Sequence, residues 1–161
     1  MKIRPLFEKD RARVLSMLIK TRSFTSQEID VAMELVDIVL KDQMQKDYQI
    51  RCAVNEQDEV IGYICYGPVP MTHGTFDLYW IVVDPDLQKQ GVGSTLLKFL
   101  EEAVGREKGR LILAETSTIP HYEKTEKFYL KNGFREVAKI PDYYFLGNDQ
   151  VTFCKKLEER G

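Results

Sequence analysis

A layered α/β (α+β) domain is the fold class this sequence predicts, and three observations predict it. Two segments near the N-terminus repeat apolar residues at helical spacing. The middle of the chain changes to short runs of β-branched and aromatic residues. The second half then reads as strand, loop, helix, strand, helix and two strands. At 161 residues the chain has the length of about one domain. No repeat, low-complexity tract or Pro/Ser-rich linker divides it, so a single domain over 1–161 is expected. A domain near this size buries roughly 68–70% of its unfolded surface, and its core needs no staple.

The elements follow in order. A short strand is expected around residues 2–4, then a helix over 10–19 carrying Val14, Leu15 and Leu18 on one face. Thr25-Ser26-Gln27-Glu28 fits a capping box, in which Thr25 and Glu28 satisfy each other's amides. Ile29, Ala32, Met33, Val36 and Leu40 continue that second helix as an apolar stripe. Residues 48–54 and 60–66 read as strands joined by a hairpin loop, and 76–83 (FDLYWIVV) as a longer strand. After a loop over 84–93, Leu96, Leu97, Leu100 and Val104 mark the inner face of a helix that closes at 105–109. A buried strand at 111–114 and a helix over 122–130, capped by Asn132-Gly133, come next. Residues 134–140 and 151–155 are the last two strands.

With 43% hydrophobic and 30% charged residues, the composition is that of a soluble globule, neither disordered nor fibrous. A formal net charge of −2 argues against a general nucleic-acid or anionic-membrane binder, which needs a cationic surface. Cys52, Cys65 and Cys154 are scattered without CxxC or zinc spacing, and read as buried, reduced thiols. His73 and His121 show no metal-ligand pairing and read as loop residues, so no metal is expected. No leader-like stretch follows Met1, and no run approaches the roughly 20 apolar residues of a membrane helix. A cytoplasmic location, with no membrane contact, is the expectation.

The informative segment is VVDPDLQKQGVGS, from Val82 to Ser94. It leads from a strand end through a Pro-marked turn into a helix N-terminus. The first amides of a helix have no internal partner, and the helix dipole adds partial positive charge there. Gly91 and Gly93 remove side chains that would hold a phosphate away from those amides. A pyrophosphate is the natural ligand. A Walker loop is excluded because Gly93 is followed by Ser94 and Thr95 without lysine. A dinucleotide fingerprint is excluded because the residue three after Gly93 is Leu96. On these residues alone, a tight turn into an ordinary helix stays open.

VVDPDLQKQGVGSTLL resembles the acetyl-CoA motif of the GNAT (GCN5-related) N-acetyltransferases, Q/R-x-x-G-x-G/A after a strand ending in V-x-P. Downstream, KFYLKNGF from Lys127 to Phe134 resembles that family's second signature, an aromatic-Tyr pair in a helix that ends in Gly-Phe. The resemblance runs from about Arg51 to the end. It implies a mixed central sheet, splayed after the fourth strand and flanked by about four helices. It further implies that pantetheine lies along the backbone of Ile81, Val82 and Val83. The pyrophosphate would lie on the amides of Gln88, Lys89, Gln90, Gly91, Val92, Gly93 and Ser94. Many relatives carry an Asn after the fifth strand that contacts the coenzyme. Here residues 116–122 (TSTIPHY) have none, which puts that contact in doubt.

N-acyl transfer needs a neutral amine. At pH 7 a lysine-like amine is neutral about once in 2,500 and an α-amine roughly 14% of the time, so side-chain amines demand a base more strongly. The resemblance makes Tyr129 the acid for the leaving thiolate and Glu115 the base, acting through water. An interior packing Tyr and an exposed strand-end Glu are the plainer alternatives. Asp77 and Tyr79 are weaker catalytic candidates and read as lining the acceptor cleft. An oxyanion donor is expected from the amide of Val82 or Val83. Lys124, Lys127 and Lys131 share a helix face that reads as solvated.

The expected activity is acetyl transfer from acetyl-CoA to a primary amine by direct attack in a ternary complex. Ile140-Pro141-Asp142-Tyr143-Tyr144 is similar to a Tyr-Tyr segment of ribosomal-protein N-terminal acetyltransferases. The acceptor is therefore a small-molecule amine or a peptide or protein N-terminus, with Tyr79, Tyr143 and Tyr144 as its contacts. A non-catalytic acetyl-CoA-binding regulatory module is the alternative. Many relatives dimerise through terminal strands, and a homodimer stays open here.

Overall fold

The computed structural model describes residues 1–158. Seven strands stand in the order β1-β2-β3-β4-β5-β7-β6. They are β1 (Lys2–Pro5), β2 (Gln49–Val54), β3 (Val60–Pro68), β4 (Thr75–Val83), β5 (Leu111–Ser117), β6 (Arg135–Phe145) and β7 (Asn148–Lys156). The helices are α1 (Arg11–Lys20), α2 (Ser26–Lys41), α3 (Val92–Arg106) and α4 (Tyr122–Lys131). The sheet is mixed, since β4 and β5 run parallel while β1/β2, β2/β3, β5/β7 and β6/β7 run antiparallel. No helix among the described residues is long and apolar enough to cross a membrane.

The chain forms two compact units. The first comprises Met1–Pro68 and Tyr79–Phe99. Its core gathers Val14, Met17 and Leu18 of α1, Ala32, Met33, Val36 and Val39 of α2, and Ile50, Cys52, Tyr63 and Cys65 of β2 and β3. The α2 start is the anticipated capping box: the Thr25 amide donates to Glu28 Oε2 at 2.6 Å and the Glu28 amide to Thr25 Oγ1 at 3.1 Å. Val39 rather than Leu40 is the buried member of the last turn of its stripe. The β2–β3 loop is closed by Asn55, whose Oδ1 accepts the amides of Gln57 and Glu59 at 3.0 and 2.9 Å. Arg4 of β1 is buried against an equally buried Asp10, with Nη1–Oδ2 at 2.7 Å and Nη2–Oδ1 at 3.1 Å. A third bond, from Arg4 Nε to Asp58 Oδ1 at 2.7 Å, engages the other edge of the guanidinium.

The second unit holds 69–78 and the chain from Leu100 onward. Here Thr75, Phe76, Asp77 and Leu78 of β4 pair with Leu111, Ile112, Leu113 and Ala114 of β5. Ile112 and Ala114 are buried, as are Val151 and Phe153 on β7, the antiparallel partner of β5. Leu100 and Val104 of α3 are fully buried, each worth roughly 1.5–3 kcal/mol relative to exposure.

All three cysteines are buried and free, as the sequence suggested. Burial pushes the thiols of Cys52 and Cys65 up to about 12. Because the thiolate is the reactive form, a thiol reagent at mildly alkaline pH is expected to titrate neither in the native protein. Both should react at once in denaturant. Rapid labelling of either before unfolding, read by mass spectrometry, contradicts this packing.

Candidate functional site

In the first unit, β4 ends at Val83 and leads into a single 3-10 turn over Pro85–Leu87. Pro85 suits this first turn because its φ is preset and its missing N–H would be unpaired there anyway. The Asp84 carboxylate caps the turn by accepting the Asp86 amide at 3.0 Å, and the Leu87 amide donates to the Asp84 carbonyl at 2.9 Å. Lys89 and Gly91 then take φ values of 71° and 80°, the left-handed region, and α3 begins at Val92. The Gly91 carbonyl accepts the Thr95 amide at 3.0 Å and the Thr95 hydroxyl at 2.9 Å. The amides of Val92, Gly93 and Ser94 precede that first helical bond and have no helical carbonyl four residues back.

A Cβ placed on Gly91 meets nothing within 4 Å, so it would occupy open space beside those amides. A diphosphate fits this arrangement of donors, helix dipole and bare backbone. The helix start is seated by a residue that the sequence reading passed over. A Cβ on Gly62 of β3 would lie 3.0 Å from the Val82 carbonyl, 3.1 Å from Val92 Cγ1 and 3.3 Å from Leu96 Cδ1. Glycine inside a strand pattern, a known mark of close approach, was the available signal. Ile81 and Val83 are half-buried and Val82 is buried. Tyr79 packs edge-on against Tyr48 with centroids 5.4 Å apart.

In the second unit, Glu115 lies inside β5 rather than at its end, opposite Thr152 of β7, and is exposed. Asp77 stands beside Leu113 in the parallel ladder, which puts Asp77 and Glu115 on one face of the sheet. Burial, and then the charge of Glu115, raise the Asp77 carboxyl above its ordinary value. A carboxyl raised by burial and by a charge on the neighbouring strand makes Asp77 a stronger acid–base candidate than its sequence context indicated.

Tyr129 of α4 is 6% exposed. Its ring stacks on Phe153 at 5.1 Å and meets Phe128 and Phe134 edge-on at 5.4 and 5.3 Å. The helix ends in a Schellman motif: the Gly133 amide donates to the Leu130 carbonyl at 3.1 Å and the Phe134 amide to that of Tyr129 at 3.0 Å. Gly133 supplies the left-handed residue this cap requires, at φ 82°. The Asn-Gly-Phe signature thus has a mechanical meaning, because the cap folds Phe134 back onto the Tyr129 ring. Burial pushes the phenol well above its usual range, so it stays protonated and able to donate.

Tyr143 and Tyr144 do not follow β6 but lie within it, exposed and packed edge-on against each other at 5.0 Å. Ser117 and Thr118 are tied down by the buried Asn148, whose Oδ1 accepts from the Ser117 hydroxyl at 2.6 Å and the Thr118 amide at 3.2 Å. His73 and His121 are exposed, as are Lys124, Lys127 and Lys131, with Lys127 paired to Glu123 at 2.8 Å.

Residues 47–136 match the family model for the acetyltransferase (GNAT) domain. The chain is 30% identical over 116 residues to the S-(2-succino)cysteine N-acetyltransferase of Bacillus subtilis, a stretch covering 65% of this chain and 67% of that protein. A crystal structure of a GNAT-family acetyltransferase from Desulfovibrio desulfuricans superposes with a TM-score of 0.92 at 37% identity, covering 98% of this chain and 99% of that one. A Salmonella typhimurium acetyltransferase solved with its cofactor acetyl-CoA shares the fold, with a TM-score of 0.75 at 18% identity over 100% of this chain and 96% of that one. The chain belongs to the GNAT family of acetyltransferases.

Proposed function

We propose that this acetyltransferase takes its acetyl group from acetyl-CoA and delivers it to a primary amine by direct attack in a ternary complex. The observation that carries this reading is the loop from Gln88 to Ser94, where the first amides of α3, those of Val92, Gly93 and Ser94, have no intrahelical carbonyl to bond and stand beside a left-handed glycine. Ile81, Val82 and Val83 offer strand backbone to the pantetheine arm, and the amides from Gln88 to Ser94 hold the pyrophosphate. When bound, acetyl-CoA supplies the activated thioester. Asp77 and Glu115 supply carboxylate to the attacking amine, and Tyr129 donates to the departing sulfur. The retained Tyr129 and the paired carboxylates favour catalysis over a regulatory module. A thiol-release assay over a panel of amino-acid derivatives, polyamines, aminoglycosides and N-terminal peptides tests the reading. Coenzyme release with none of them, while coenzyme A still binds, returns the regulatory module.

A small-molecule amine is the favoured acceptor, because the curated relative is named for acetylating a cysteine derivative. Tyr79, Tyr143 and Tyr144 are assigned to its wall, since aromatic hydroxyls orient a polar acceptor at little entropic cost. Tyr143→Ala and Tyr144→Ala are expected to raise the acceptor KM about 2- to 12-fold, the equivalent of ~0.5–1.5 kcal/mol per aromatic contact. The acetyl-CoA KM should stay unchanged. If neither KM moves, the pair serves only its own mutual packing in β6.

A further inference from the structure

We propose that Asp84 is a positioning residue for the phosphate loop, its carboxylate clamped by Arg13 and Lys20 so that the following turn presents the loop amides in one conformation. The proposal rests on the coenzyme reading above and concerns side chains, those of Asp84, Arg13 and Lys20, that are not among the coenzyme's own contacts. Asp84 is 3% exposed, the sole buried carboxylate in this stretch of the chain. Lys20 Nζ donates to its Oδ1 at 2.8 Å and Arg13 Nη2 donates to its Oδ2. Arg13 Nε is itself fixed on the Val60 carbonyl at 2.9 Å, and Lys20 reaches on to Asp86 Oδ2 at 2.6 Å. The Asp84 amide donates to the Ile61 carbonyl at 2.9 Å. One residue therefore joins α1, β3 and the first turn of the loop. Burial opposes its ionisation, and the bonds from Lys20, the Asp86 amide and Arg13 outweigh it, so the carboxyl lies below its usual range.

The loop needs such an anchor. Lys89 holds a left-handed φ without glycine's freedom, and a strained residue of that kind persists only where its surroundings over-determine it. Downstream, the close approach of Val92 and Leu96 to Gly62 fixes the helix start. Upstream, the ion pairs of Asp84 fix the strand end, which leaves the segment between them few alternative shapes.

The test uses Asp84→Asn, which keeps an oxygen to cap the turn but removes the charge, and Lys20→Met, which removes one donor. Arg11→Ala is the control, since Arg11 pairs with Asp37 at 2.6 Å from the same helix without touching the loop. Calorimetry with coenzyme A should show roughly 3- to 30-fold weaker binding for Asp84→Asn and Lys20→Met. The acceptor KM should match the parent's, and Arg11→Ala should bind coenzyme A normally. In the ligand-free protein, hydrogen exchange of the amides over 88–94 should be faster in both loop variants. Parental coenzyme affinity in both variants overturns the clamp and leaves the coenzyme reading standing. So does an equal loss of coenzyme and acceptor affinity, which marks a general structural defect. A parent that fails to bind coenzyme A overturns both.

Discussion

Gly91→Val and Gly93→Val are each expected to lower coenzyme A affinity by more than about 100-fold, the loss of two hydrogen bonds to charged groups at ~1.5–3 kcal/mol each. The two substitutions reach this result by different routes. Gly91 stands at φ 80°, where a β-branched residue is strained by roughly 1–3 kcal/mol whatever space surrounds it. Gly93 lies in the first turn of α3, where valine fits the helical backbone and acts only through its bulk. Gly91→Val should therefore also lower the melting temperature, while Gly93→Val should leave it close to the parent's. Lys89→Ala removes one exposed charge beside the loop and costs only a modest, salt-sensitive part of the affinity. Calorimetry at two salt concentrations reads all three. Parental affinity in both glycine variants removes the loop from the coenzyme site.

The elements that carried a local signal were legible in the sequence. The Thr25–Glu28 capping box, the Asn132-Gly133 stop of α4 and the Leu96-Leu97-Leu100-Val104 face are each written within a few residues of chain. Contacts between distant positions were not. Arg13 and Asp84 are 71 residues apart, and Arg4 and Asp58 are 54 apart, with nothing local to mark either pair. The perturbed Asp77 depends on the β4–β5 register, which periodicity cannot supply. The apolar pattern of the sixth strand ends at Ile140, just before Pro141, which cannot donate to a ladder. The structure carries the strand on to Phe145 because β6 is the last strand in the sheet order, and an edge tolerates proline.

Tyr129→Phe and Asp77→Asn are expected to lower turnover by about 10²–10⁴-fold each, the usual worth of a general acid or base, with little change in coenzyme A affinity. Tyr129→Phe keeps the ring that stacks on Phe153, so the aromatic cluster and the α4 cap survive and only the donor is lost. The carboxylates separate by pH. With the Asp77 carboxyl raised, its basic form fills at a higher pH than an ordinary aspartate, and kcat/KM should rise with pH through that value. Glu115→Gln removes a charge that raises Asp77, so the acid limb moves to lower pH, and turnover falls by less than in Asp77→Asn. Asp77→Asn removes the limb together with the activity. Stability must move in the opposite sense. A carboxyl raised in the folded state contributes most below its unfolded value near ~3.9 and loses that contribution as pH climbs through its folded one. At neutral pH the neutral amide of Asp77→Asn should therefore melt no lower than the parent. Parental turnover in Tyr129→Phe, or in Asp77→Asn with an identified acceptor, strikes that residue from the mechanism. An acid limb that stays in place in Glu115→Gln shows that the two carboxylates do not act as a pair.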